Sequence, residues 1–110
     1  MNRLQNKAVV VTGAASGLGR ETALAMAREG AHLAIVDVDD AGLSETKSLI
    51  LAEGARVVAL TGDVTRLQTH TRLCDMAVSA FGAVHGLCNV AGVLGPGTLA
   101  EVTEAQFDHV

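Results

Sequence analysis

Short apolar runs alternate with longer segments of helical periodicity, and the unit repeats about every 25 residues. The apolar runs are rich in β-branched residues, and each of the first three is followed by a helical segment. This order predicts β-α-β-α-β-α-β. The runs are nearly continuous rather than alternating, as in a parallel sheet covered on both faces. They lie at Ala8 to Thr12, His32 to Val36, Arg56 to Leu60 and Val84 to Val90.

The residues that begin and end helices support this order. Gly30 follows the first helical segment and can adopt the left-handed conformation that ends a helix. Asp39 is placed to cap the second helix. Thr65 and Gln68 have the spacing of a capping box, which predicts a third helix that ends near Gly82.

A repeating β-α pattern of this kind predicts an α/β fold, namely a Rossmann-type doubly wound parallel sheet. We expect a truncated sheet of about four strands in the order 3-2-1-4. A further capping pattern at Thr103 begins a last helix only a few residues before Val110. The sequence therefore predicts one partial domain over residues 1–110, cut off within the helix after strand 4.

Composition narrows the class of protein. The 110 residues are 49% hydrophobic and 18% charged, which favours a packed core over a disordered chain. A net charge of -4 without a basic cluster argues against a nucleic-acid partner. No apolar run is long enough for a membrane helix, so we expect no membrane partner. Two cysteines without a secretory signal favour the reducing cytoplasm.

A glycine-rich segment lies where the first strand meets the first helix. Gly13 permits a tight turn, Gly17 lets the backbone approach a phosphate, and Gly19 lets the helix pack closely. The helix N-terminus would then face a pyrophosphate, with Leu18 supplying an apolar surface. The motif lacks the Gly-Lys-Ser/Thr of a P-loop, which argues against ATP and GTP. A glycine-rich turn without a ligand is the alternative.

Asp37 ends the second predicted strand, where a carboxylate can accept hydrogen bonds from both ribose hydroxyls of an adenosine. Its negative charge would repel a 2'-phosphate, which favours NAD over NADP. No basic residue lies between Ala14 and Gly19 or beside Asp37 to offset that repulsion. The alternative is a turn residue ahead of the Asp39 cap.

Two further groups follow strands 3 and 4 at the same edge of the predicted sheet. Asp63 and Val64 follow the third strand, and Asn89 and Gly92 flank the end of the fourth. Each is ambiguous alone, because Asp63 could only begin a turn and Asn89 could only bind neighbouring backbone.

Together these motifs resemble the short-chain dehydrogenase/reductase family: T-G-x-x-x-G-x-G, then an acidic residue, then Asp-Val and Asn-Val-Ala-Gly. The resemblance implies NAD as cofactor and a diphosphate lined by Ser16, Gly17 and Leu18. It further implies that Asp37 binds the adenosine ribose, that Asp63 and Val64 contact adenine, and that Asn89 and Gly92 support the ribose region. Val90 departs from the family, where many members have a second Asn.

The resemblance also implies a small alcohol or carbonyl substrate and a homo-oligomer for the complete protein. Family catalysis uses a Tyr and a Lys spaced Y-x-x-x-K, yet this chain has no Tyr and its last lysine is Lys47. We assign no catalytic residue. His70 and Cys74 are four residues apart, but no second pair completes a metal set, so no metal is expected. Two alternatives remain, a non-catalytic NAD-binding or regulatory module and an inactive truncated fragment.

Overall fold

A computed structural model of the chain describes residues 3–90. In this range strands and helices alternate, and the strands form a parallel sheet in the predicted order β3-β2-β1-β4. Gly92 and the predicted helix at Thr103 lie outside the described residues. The elements are β1 (Ala8–Thr12), α1 (Gly17–Arg28), β2 (His32–Asp37), α2 (Asp40–Ala52), β3 (Val57–Thr61), α3 (Leu67–Phe81) and β4 (Gly86–Asn89).

The sheet brings the carboxyl ends of its strands to one edge. Thr12 at the end of β1 pairs with Val36 on one side and with Asn89 on the other. Asp37 at the end of β2 pairs with Thr61 at the end of β3. Because the strands are parallel, every turn that leaves a strand begins at this edge, where ligands of open α/β sheets bind.

Helices cover both faces of the sheet. All five residues of β1 are buried, which explains its unbroken apolar run. On one face, α1 and α2 enclose the larger cluster, which includes Leu33, Ile35 and Ile50. On the other face, α3 places Leu73 against Val36 and its neighbours. The strand ends that lead into these turns are therefore held by packed hydrophobic clusters on both faces of the sheet.

The Asp39 cap is confirmed, because its carboxylate accepts a hydrogen bond from the Gly42 amide at 3.1 Å. The predicted Thr65 capping box is wrong. The Thr65 hydroxyl donates instead to Asp63 Oδ1 at 2.6 Å, and the helix starts after Arg66 without a side-chain cap. The Asp63 carboxylate also accepts the Thr65 amide, which forms a local turn, and Arg66 instead of Thr65 takes the N-cap position of α3.

Strand 4 is shorter than the predicted Val84 to Val90 and covers only Gly86–Asn89. At its start, the His85 amide donates to the Ala8 carbonyl at 2.7 Å, and the Ala8 amide donates to His85 Nδ1 at 2.9 Å. The histidine ring takes the place of a backbone acceptor, so regular pairing begins one residue later.

Each helix within residues 3–90 falls short of the length and apolar character needed to cross a membrane.

Candidate functional site

The turn between β1 and α1 has the backbone that its glycines predict. Gly13 has φ 67° and Gly17 has φ 56°, both in the left-handed region that favours glycine. Ser16 occupies the N-cap position of α1 in an extended conformation, yet its side chain makes no capping hydrogen bond. The first-turn amides of a helix have no intrahelical acceptor, so they remain available as donors to a ligand. No acidic residue lies in this first turn.

Gly19 is required by close packing against the turn itself. A Cβ at this position would lie 1.9 Å from the Gly13 carbonyl oxygen and 3.2 Å from the Ala14 Cα. Both neighbours are backbone atoms that cannot rotate away. The sequence predicted close helix packing at Gly19, and the structure specifies the partner as the turn that leaves β1.

Asp37 joins β2 to the glycine-rich turn. Its Oδ2 accepts a hydrogen bond from the Ala15 amide at 3.0 Å, and its Oδ1 accepts one from the Asp39 amide at 3.0 Å. The bond to the Asp39 amide is the turn role that the sequence offered as the alternative for Asp37. The bond to the Ala15 amide is an additional structural role. A carboxylate has about four lone-pair sites, so each oxygen can still accept a bond from a ligand.

An arginine beside the turn escaped the sequence reasoning because it lies one residue after Gly19. Arg20 Nη2 donates to the Ala15 carbonyl at 2.5 Å, and Nε donates to Thr46 Oγ1 at 2.8 Å. Its Nη1 forms an ion pair with Glu45 at 2.7 Å. The guanidinium is thus directed at the carbonyl side of the turn and at α2. No sequence motif marks Thr46, because its contact to Ala14 depends on the folded packing of α1 and α2.

Asn89 lies at the tip of β4 and is bonded to the tip of β1. The buried Thr12 hydroxyl donates to Asn89 Oδ1 at 2.6 Å and accepts a hydrogen bond from the Val90 amide at 2.9 Å. These bonds fix the two strand ends that border the crevice at the reversal of strand order. Asn89 therefore has a scaffold role that depends on the Thr12 side chain.

Asp63 and Val64 follow β3, as predicted, but their contacts are local. The amide and hydroxyl of Thr65 both donate to Asp63 Oδ1, and these bonds lower the pKa of the Asp63 carboxyl. The Val64 side chain packs against the α3-side cluster, and its carbonyl contacts a ring nitrogen of His70. Within residues 3–90, the Asp63 side chain makes no hydrogen bond to the glycine-rich turn and shares with it only the carboxyl edge of the sheet.

The residues nearest the helix N-terminus are open to solvent. Ser16 and Gly17 are exposed, and Leu18 is 53% exposed. An apolar side chain in this position offers a surface to a flat ligand ring. Gly92 lies outside the described residues.

The described range also contains histidine and cysteine side chains, the usual candidates for a metal ligand or a nucleophile. His70 contacts backbone, and no group of three or more His, Cys, Asp or Glu residues in the described range is arranged to hold a metal. Both cysteines are free thiols. Burial raises the pKa of the Cys88 thiol to about 11, and burial followed by the Asp75 charge raises that of Cys74. Neither thiol is activated as a nucleophile.

Several proteins similar to this chain are named as dehydrogenases. A 1-deoxy-11-beta-hydroxypentalenate dehydrogenase of Streptomyces exfoliatus is 44% identical over 93 residues, which cover 84% of this chain and 34% of that protein. A short chain dehydrogenase of Mycobacterium paratuberculosis, solved bound to NAD, is 31% identical in sequence and has a TM-score of 0.80. The alignment covers 92% of this chain and 42% of the Mycobacterium chain.

A carveol dehydrogenase of Mycobacterium avium, solved in complex with NAD, is 27% identical with a TM-score of 0.80, over 84% of this chain and 38% of that one. The chain thus spans less than half the length of each of these three proteins. The family model described as short chain dehydrogenase matches residues 7–110. With that match over nearly the whole sequence, and with the sheet order and glycine-rich turn described above, the chain belongs to the short-chain dehydrogenase family.

Proposed function

We propose that this chain supplies the NAD(H)-binding half of an oxidoreductase that, as a complete enzyme, interconverts a small alcohol and its carbonyl. One observation carries the proposal. An α1 N-terminus that no side chain caps lies beside a carboxylate on the tip of the neighbouring strand β2. The two NAD-bound relatives reported above, which share the fold, support the same cofactor.

The diphosphate of the cofactor is assigned to the β1-α1 turn. Gly13 and Gly17 provide backbone conformations that other residues rarely adopt, and Gly19 allows α1 to begin against the turn. The amides of Ser16, Gly17 and Leu18 are the proposed donors to phosphate oxygens, aided by the positive end of the helix dipole. The exposed Leu18 side chain is assigned to apolar contact with the cofactor.

The adenosine ribose is assigned to Asp37, whose carboxylate can accept bonds from both hydroxyls. A 2'-phosphate at that place would meet this charge and the exposed carboxylates of Asp39 and Asp40. The guanidinium of Arg20, which binds the same turn, is already engaged by Thr46, Glu45 and backbone carbonyls. These contacts support NAD(H) over NADP(H).

The remaining predicted contacts are assigned by position on the sheet edge. Asp63 and Val64, after β3, are proposed to border the adenine. Asn89, at the tip of β4, and Gly92 are proposed to support the ribose region and the strand-4 scaffold. The Thr12 bond to Asn89 supports the scaffold role.

NAD supplies hydride transfer at its nicotinamide ring, and a proton must move at the substrate oxygen. This chain contains no Tyr to act as that acid or base. We therefore infer that the chain binds the cofactor and that catalysis needs residues supplied from elsewhere in a longer protein. The chain spans 34% of the Streptomyces relative, so it corresponds to only part of that protein.

The compartment and assembly are also proposals. Two free thiols, Cys74 and Cys88, are consistent with the reducing cytoplasm. A homo-oligomer is expected of the complete protein, and light scattering would measure its mass.

The direct test is a titration of the purified protein with NADH and NADPH, followed by the fluorescence of the reduced nicotinamide. The proposal predicts tighter binding of NADH. Binding of neither cofactor would contradict the NAD-binding role, and tighter binding of NADPH would contradict the role of Asp37. An Asp75→Asn variant, on α3, serves as a control for the loss of one carboxylate far from the turn.

A further inference from the structure

Two consecutive carbonyls on the glycine-rich turn are held by side chains from α1 and α2. The Thr46 hydroxyl, fully buried, donates to the Ala14 carbonyl at 2.7 Å. Arg20 Nη2 donates to the Ala15 carbonyl at 2.5 Å. The two side chains also bind each other, because Arg20 Nε donates to Thr46 Oγ1 at 2.8 Å.

The guanidinium is fixed in this arrangement by two further contacts on α2. Its Nη2 also donates to the Gly42 carbonyl at 3.1 Å, and Nη1 pairs with Glu45 at 2.7 Å. Four of the five guanidinium N–H donors are therefore engaged. The arginine side chain is only 21% exposed, so solvent competes little for these bonds.

Gly42 allows α2 to approach the turn closely enough for these contacts. A Cβ there would lie 2.9 Å from the Ala15 carbonyl oxygen and 2.6 Å from Asp39 Oδ2. Both helices thus converge on the side of the turn that presents its carbonyls.

Peptide geometry connects these carbonyls to the amides on the other side. In a trans peptide the C=O and the following N–H point in opposite directions within one plane. The Ala14–Ala15 peptide is held at both ends, by Thr46 at its oxygen and by Asp37 at its nitrogen. The next peptide is held by Arg20 at the Ala15 oxygen, which fixes the direction of the Ser16 N–H.

We propose that Arg20 and Thr46 are positioning residues that orient the Ser16 amide toward the diphosphate of the cofactor. The inference rests on the proposed NAD-binding function. A charged donor on the Ala15 oxygen also polarises the peptide and makes the Ser16 N–H a stronger donor. Neither side chain needs to touch the cofactor to have these effects.

The test compares ADP, which carries the diphosphate, with adenosine, which does not. Binding to the purified protein is measured by NMR titration for Arg20→Met and Thr46→Val, which remove the donors and keep similar side-chain length or shape. We expect each variant to weaken ADP binding by about tenfold, as for the loss of a buried hydrogen bond, and adenosine binding by less than about twofold. Thr46→Ser, which restores the hydroxyl, should return ADP affinity to within about threefold of the original.

Arg28→Met is the matched control, because Arg28 lies on the same helix and pairs with Glu53 at 3.1 Å on the exposed surface. It should leave both affinities unchanged. Arg20→Lys keeps the charge but cannot reach both Ala15 and Thr46 with a fork, so it tests the inference if Arg20→Met fails to fold. Its expected result is a smaller loss confined to ADP, with a normal circular dichroism spectrum.

The results distinguish a failure of the proposed NAD-binding function from a failure of the positioning role of Arg20 and Thr46. If the unchanged protein binds neither ADP nor adenosine, the proposed function itself is contradicted and the inference falls with it. If the unchanged protein binds ADP and the variants bind it equally well, only the positioning role is overturned. Equal losses of ADP and adenosine affinity would also overturn it, since they indicate general destabilisation.

Discussion

The Asp37 carboxylate accepts a hydrogen bond from the Ala15 amide at 3.0 Å, which ties the tip of β2 to the turn between β1 and α1. The same carboxylate accepts the Asp39 amide through its other oxygen. A side chain predicted to bind a sugar thus also holds the turn between β1 and α1 in place. A substitution at Asp37 is therefore expected to change both the hold on the turn and the proposed selection of the cofactor.

Asp37→Asn removes the charge and keeps one of the two oxygen acceptors that hold the Ala15 and Asp39 amides. We predict that the ratio of NADPH to NADH dissociation constants falls by about tenfold, because repulsion of the 2'-phosphate is lost. Fluorescence titration with both cofactors measures the ratio. An unchanged ratio would mean that the Asp37 charge does not select the cofactor, and Asp75→Asn should leave the ratio as it was.

The sequence predicted the features that depend on local pattern. The unbroken apolar run of β1 indicated a strand buried on both faces, and the strand is buried throughout. Asp39 was predicted to cap α2, and it does so through Gly42. The glycine positions predicted a turn, and two of them have positive φ. Each of these features is determined by residues close together in sequence.

The features that the sequence does not predict depend on contacts between distant residues or on a local turn that displaces the expected cap. Arg20 and Thr46 lie 26 positions apart, and only the packing of α1 against α2 brings them together. At Thr65 the spacing predicts a capping box, but Thr65 bonds back to the Asp63 carboxylate and the helix begins one residue later, with Arg66 at the N-cap. Periodicity contains no information about either outcome.

Gly19→Ala should destabilise the protein more than an ordinary glycine substitution. The new Cβ would collide with the Gly13 carbonyl, and a clash with backbone should cost about 3 kcal/mol of unfolding free energy or more. Gly82→Ala is the control: Gly82 has φ 86° with open space around it, so its cost should be only about 1–2 kcal/mol. Urea denaturation measures both, and equal losses would contradict the close contact.

Thr12→Val should weaken the link between β1 and β4. The valine keeps the shape of the side chain but leaves Asn89 Oδ1 without its donor and the Val90 amide without its acceptor. We expect a loss of about 1–3 kcal/mol of unfolding free energy. Thr12→Ser, which keeps the hydroxyl, should lose less. A valine variant as stable as the original protein would show that these bonds contribute nothing.

His32 should make stability depend on pH. Its buried Nδ1 has no hydrogen-bond partner within residues 3–90, and its ring stacks on Phe81 with centroids 5.4 Å apart. Burial, and then the Arg56 charge, lower the pKa of His32 from the usual 6.5. The native state therefore favours the neutral ring, and the unfolded state binds more protons at acidic pH.

The free energy of unfolding should accordingly fall as pH drops through about 6.5 and level off below the lowered native pKa of His32. Urea denaturation at a series of pH values measures the slope. His32→Phe keeps the ring stack and should flatten this part of the profile. Asp63, whose pKa lies below its usual 3.8, contributes only at more acidic pH, where its stabilising effect is lost. An unchanged slope in His32→Phe would contradict the assignment.

We propose that a dinucleotide diphosphate binds the main-chain amides at the start of α1. Amide-resolved NMR of the labelled protein during addition of NAD detects such binding residue by residue. We expect the largest shifts at the amides of Ser16, Gly17 and Leu18, with a second group around Asp37. Saturable shifts confined to another surface, such as that around Cys74 on α3, or no shifts at all, would contradict it.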